Sequence, residues 1–107
     1  MNMERSPTAE QLYRNDPRLE VRSAGVRSQA NRRVSEADLR WADVVFVMEN
    51  EHKAWIQTRF AGIPLPRIDV LDIPDVFGYM DPQLQEMLRM MLDPEIEFLL
   101  SSRDEAG

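Results

Sequence analysis

The chain contains no cysteine. That absence excludes disulfides, thiolate metal sites and any cysteine nucleophile supplied by these 107 residues. Small secreted domains usually carry disulfide staples, so a cytoplasmic setting is expected. Lysine is almost missing too: Lys53 is the only one, and arginine supplies the remaining basic groups. Acidic residues outnumber basic ones by 19 to 13, and the net charge of −6 leaves no cationic excess to neutralise nucleic-acid phosphates. No apolar run approaches the roughly 18 residues of a membrane span, and no secretory signal opens the chain, so neither nucleic acid nor membrane is an expected partner. No His/Asp/Glu cluster has metal-ligand spacing and no glycine-rich nucleotide loop is present, so neither metal nor cofactor is expected. His52 is the only histidine. Its place in the first turn of a predicted helix suits a surface or capping role better than catalysis.

What is present is an ordinary globular balance, 43% hydrophobic and 30% charged, in a length that fits one domain over 1–107. Residues 102–107 read as a loose tail. Ser6-Pro7 reads as an N-cap with proline at the first helical position, and Asn15-Asp16-Pro17 ends that helix. Leu19 to Ser23 alternates apolar and polar side chains as an edge strand does, and Ala24-Gly25 turns the chain. Ser35 with Asp38 predicts a capping box, with Val34 and Leu39 as the hydrophobic staple. Asp43 to Met48 is a continuous apolar run of the kind found in parallel strands buried on both faces. Asn50 is expected to cap a helix carrying Trp55, Ile56 and Phe60, which Gly62 and two prolines break. Arg67 to Leu71 reads as another strand. Asp81-Pro82 and Asp93-Pro94 each read as the opening of a helix, the first with Leu84, Met87, Leu88 and Met91 on one face. Strands alternating with helices predict an α/β fold, a parallel sheet with helices on both faces. Trp41 and Trp55 read as packing anchors, and Met87, Met90 and Met91 as core or interface.

The chemistry concentrates at the start, in Asn2-Met3-Glu4-Arg5-Ser6-Pro7. A helix N-terminus gathers unpaired N–H groups and the positive end of the dipole, so it attracts anions. Arg5 adds a guanidinium able to grip the same oxyanion with two parallel bonds. Alone, such a motif is also a common helix start beside a solvated charge.

The segment resembles the phosphate-binding loop of low-molecular-weight protein tyrosine phosphatases. There a cysteine, five residues, an arginine and Ser-Pro or Thr-Pro lead into the first helix. An asparagine commonly lies three places before the arginine, as Asn2 does before Arg5. Ser23-Ala24-Gly25 is similar to the family's Ser-Ala-Gly. Asp43 to Met48 followed by Glu49 resembles its strand ending in Met-Asp or Met-Glu. Asp72-Ile73-Pro74-Asp75 falls where the family has its aspartate loop, though here Val76-Phe77-Gly78-Tyr79 replaces the usual Pro-Tyr-Tyr.

The resemblance implies hydrolysis of phosphotyrosine monoesters through a cysteinyl-phosphate in a full-length form. The partner would be a phosphotyrosine protein or small aryl phosphate, with phosphate or sulfate as simpler ligands. It implies Asp75 as general acid, favoured over Asp72, Arg5 and Ser6 as catalytic, and Asn2, Met3, Glu4, Arg5 and Ser6 around the phosphate. Phe77 and Tyr79 become the candidates to face substrate. In that register the cysteine falls two places before Met1 and the first central strand is absent. The 107 residues are therefore expected to lack turnover, and a homo-oligomer is one way to fill the gap. The alternative is a non-catalytic phosphate- or phosphotyrosine-binding module. An arsenate reductase of the same fold also needs resolving cysteines, which this chain lacks.

Overall fold

The computed structural model describes residues 5–25 and 32–106, with side chains as far as 102. Among them the elements run α1 (Arg5–Tyr13), α2 (Glu36–Trp41), β1 (Val44–Val47), α3 (Asn50–Arg59), β2 (Arg67–Val70) and α4 (Pro82–Ala106).

Local chemistry explains most of these boundaries. Helix α1 already includes Arg5, so Ser6 is in the first turn and is not its cap. Pro7 is tolerated there because the backbone N–H groups of a first turn have no intrahelical acceptor. The helix stops where Asp16 turns the chain, its N–H donating to Tyr13 O at 3.2 Å and its carboxylate accepting from the Arg18 N–H at 2.9 Å. Helix α2 opens with the full capping box: Ser35 accepts from the Asp38 N–H, and Asp38 accepts from the Ser35 N–H. Burial opposes ionisation of Asp38, yet the Ser35 bonds and the Arg32 guanidinium hold its carboxyl below the usual range. Helix α3 is capped at Glu49, one residue earlier than expected, and without a side-chain bond. The Glu49 carboxylate is engaged elsewhere.

Strands β1 and β2 pair in parallel, Val44 opposite Arg67 through Val47 opposite Val70. The pairing runs on beyond them: Leu71 N–H donates to Val47 O at 2.8 Å and Ile73 N–H to Met48 O at 3.0 Å. Two apolar clusters lie on opposite sides of this ribbon. One joins Tyr13 of α1 and the α4 stripe Leu84, Leu88, Leu92 and Ile96 to Leu71, Ile73 and Phe46. The other joins Leu39 of α2 and Ile56 of α3 to Val45, Val47 and Ile68. Alternation along β1 sends Phe46 one way and its neighbours the other. The fold is thus mixed α/β, with helices on both faces of a two-stranded parallel sheet.

Three expectations need correction. Residues 19–23 form no strand; Leu19 and Val21 do turn into the first cluster, but among the described residues no neighbouring segment completes a ladder. The nearby Gly25 makes only an isolated parallel bridge to Arg33. Asp93-Pro94 does not open a new helix, because Pro94 lies inside the 25-residue α4. Proline removes one backbone donor there, but Pro94 is on the exposed face, where water can reach the orphaned carbonyl. The stripe from Leu84 to Ile96 passes through unbroken. The backbone of 102–106 continues the same helix where a loose tail was expected. Among the described residues, no helix is long and apolar enough to cross a membrane.

Candidate functional site

Among the described residues Arg5 is the most thoroughly enclosed ionisable group, with 0% of its side chain exposed. A buried charge is costly unless its surroundings answer it, so its partners define the site. They come from the carboxyl ends of both strands. Nη1 donates to the Ile73 carbonyl, just beyond β2, at 2.5 Å. Nη2 lies 2.7 Å from Glu49 Oε2, just beyond β1. Nε lies 3.9 Å from Asp75 Oδ1. The Glu49 approach is an ion pair rather than an aligned hydrogen bond, and Nε and Nη2 are both buried without a hydrogen-bond acceptor. These two nitrogens form one edge of the guanidinium, the edge that takes two oxygens of one oxyanion side by side. Contact with Arg5 holds the Glu49 carboxyl below its ordinary range.

Asp75 stands on a loop fastened at both ends to α1. Arg5 grips its start at Ile73. At its far end the fully buried Thr8 accepts from the Met80 N–H at 2.9 Å. Met80 O in turn accepts from Gln85 Nε2 at 2.7 Å. Asp72 and Met80 bracket the loop with left-handed backbones, φ 58° and 59°. Non-glycine residues adopt that conformation only where the surroundings enforce it. Asp81 then accepts from the Gln83 N–H at 2.8 Å and starts α4.

The residues singled out from sequence therefore divide. Arg5 and Asp75 come together. Ser6 is half-buried beside them in the first turn of α1 and borders a neighbouring groove. Phe77 packs against the first apolar cluster, whereas Tyr79 is 55% exposed and Val76 more so. Of the two aromatics, Tyr79 is the one available to a ligand. Asn2, Met3 and Glu4 lie outside the described residues. His52 sits in the first turn of α3, its N–H donating to Glu49 O at 3.1 Å. Trp55 meets Phe60 edge to face, while Trp41 is partly exposed beneath the Arg22 guanidinium. Met87 packs on the core and Met90 points outward.

Two contributors were not assigned roles from sequence. Glu49 had a signal, a carboxylate directly after a buried strand. Thr8 had none, since one hydroxyl in a first turn looks like any other. No group of His, Asp and Glu among the described residues is arranged to hold a metal ion. Chemically, the arrangement offers a desolvated guanidinium edge, a helix N-terminus behind it and a loop carboxyl within reach of whatever the guanidinium holds. No family model, curated protein or solved structure matches the chain.

Proposed function

We propose that the Arg5 edge binds the phosphoryl group of a phosphotyrosine-like aryl monoester, in the manner of a low-molecular-weight tyrosine phosphatase. The observation that carries this reading is the fully buried guanidinium at the start of α1, whose Nη2 is met by the Glu49 carboxylate at 2.7 Å and whose Nε has Asp75 no nearer than 3.9 Å. Leaving the buried Nε without an acceptor costs stability, about 1–3 kcal/mol, and a bound oxyanion would satisfy it. In this reading Asp75 would give a proton to the departing phenolate oxygen, and Tyr79 is the exposed aromatic on the same loop. Glu49 keeps the guanidinium oriented.

Hydrolysis by this route needs a nucleophile that attacks phosphorus, and these residues contain no thiol. The 107-residue chain accordingly binds the monoester without turning it over, and a form carrying the cysteine would be the enzyme. Calorimetric titration with vanadate and phenyl phosphate tests the site. Arg5→Lys is expected to lower affinity about tenfold or more, because an ammonium cannot present two parallel donors. Unchanged affinity in a folded Arg5→Lys chain would reject the assignment. Hydrolysis of an aryl phosphate by the purified chain, abolished in Arg5→Ala, would overturn the view that it is non-catalytic.

A further inference from the structure

Helix α4 carries more apolar surface than the core uses. Its buried stripe of Leu84, Leu88, Leu92 and Ile96 faces the first cluster. A second row, Met87, Met91, Pro94 and Phe98, lies roughly 110° away around the helix. Met87 still leans on the core, but Met91 is 39% exposed, Phe98 60% exposed and Pro94 open to solvent. Single apolar side chains on a surface need no explanation, whereas a contiguous row marks a contact.

The spacing of the row shows which contact it suits. Its intervals are four, three and four residues, the repeat by which two helices pack along a shared seam. Those intervals are also the same from either end. Laid antiparallel on a second copy, Met87 meets Phe98 and Met91 meets Pro94, on both sides of a two-fold axis between positions 92 and 93. A two-fold contact requires a patch that complements itself; an unlike partner imposes no such symmetry. Each outer pair also sets a polarisable thioether against an aromatic ring, a favourable contact in its own right.

Charge along the flanks is compatible with this packing. Glu95 and Glu97 border the row, and each is already answered within its own chain. Arg67 Nη2 lies 2.8 Å from Glu95 Oε2, and Arg18 Nη1 lies 2.9 Å from Glu97 Oε2. Two copies therefore approach without bare carboxylates opposed across the seam. The acidic flanks and the net charge of −6 disfavour an anionic lipid surface as the occupant. Roughly three helical turns per copy make a contact below about 1,200 Å² in total, the range of weak and transient association.

We propose that α4 is a self-association surface, on which a second copy of this chain packs antiparallel through Met87, Met91, Pro94 and Phe98. Sedimentation velocity over a concentration series, at physiological ionic strength, is expected to show a reversible monomer–dimer equilibrium. Phe98→Glu and Met91→Glu should each weaken it about tenfold or more, because they place a new charge in the seam. Val76→Glu, at a site 74% exposed on the Asp75 loop, should leave it unchanged. Circular dichroism checks that each variant folds. The absence of cysteine makes the orientation testable as well. Met87→Cys and Phe98→Cys chains, mixed and oxidised, should form mixed disulfides in preference to like pairs. A chain monomeric at every concentration would overturn the proposal and leave the row to an unlike partner. A dimer unmoved by Phe98→Glu would place the contact elsewhere and overturn it too. Equal weakening by Val76→Glu would reduce the effect to added charge, and Phe98→Cys linking chiefly to itself would refute the antiparallel pairing.

Discussion

Around Tyr13 the two helices of the first layer meet through a buried phenol. Its hydroxyl donates to Asp93 Oδ1 at 2.5 Å, and the Arg89 guanidinium stacks 4.7 Å from the ring centre. Burial, then the hydrogen bond to Asp93 and its charge, push the Tyr13 pKa upward, and Arg89 only partly offsets them. In the unfolded chain the phenol ionises near pH 10, while in the fold it keeps its proton beyond that. Its contribution to stability is therefore complete below about pH 10 and is lost as pH rises further, because the unfolded state then binds fewer protons. Urea midpoints from pH 8 to 11 should fall steeply above pH 10. Tyr13→Phe should cost about 1 kcal/mol at pH 8 and flatten that decline. A decline of the same steepness in Tyr13→Phe would assign it to other groups. At this scale the sequence was readable where a residue type carries its own chemistry: Arg5 and Asp75 were each singled out, and the fold brings them within 3.9 Å. Thr8 and the idle edge of Arg5 were not, since both depend on contacts between positions some seventy residues apart.

Helix α4 shows how an element can be half legible. The face expected from Leu84, Met87, Leu88 and Met91 is corrected by the fold to a stripe through Leu84, Leu88, Leu92 and Ile96 with Met91 exposed, and Asp93-Pro94 carries the signature of a new start. Packing decides between them. Each buried side chain of the stripe contributes about 1.5–3 kcal/mol, and breaking the helix would forfeit the alignment of Ile96 with Leu92. Proline inside a helix costs about 3 kcal/mol, less than the stripe supplies. Pro94→Ala should therefore stabilise the protein by about 1–3 kcal/mol, read as a higher urea midpoint at unchanged slope. A lower midpoint would mean that the proline is required for the path of α4. The short α2 was fully legible, because a capping box is a local device that needs no tertiary contact.

At the scale of the molecule, two apolar layers depend on one thin partition. Layer order could be read from sequence, because the continuous apolar run at 43–48 and the helical segments on either side point to two covered faces. The failure of residues 19–23 to pair was not legible, because a ladder requires a neighbour and alternation only records which side is buried. The open space of about 1060 Å³ between residues 17–25 and β1 leaves facing side chains of both layers short of packing partners. The strictly monomeric 107-residue chain is therefore expected to melt broadly, with a calorimetric enthalpy unequal to the van't Hoff value. A single sharp transition with matching enthalpies would contradict this.

The Asp75 loop has both of its ends clamped to the same helix, Ile73 by Arg5 and Met80 by Thr8. Its middle carries the exposed Val76 and Gly78, the kind of stretch a protease enters. A cut there would divide the polypeptide without dividing the protein. The amino-terminal piece would keep α1 and both strands, and the carboxyl-terminal piece would keep α4. Thr8, Tyr13 and the Leu12 carbonyl, which accepts from Arg89 at 3.2 Å, would still hold the two pieces together. Nicked molecules should travel as one species until denaturant separates the fragments, and the fragments should find each other again when it is removed.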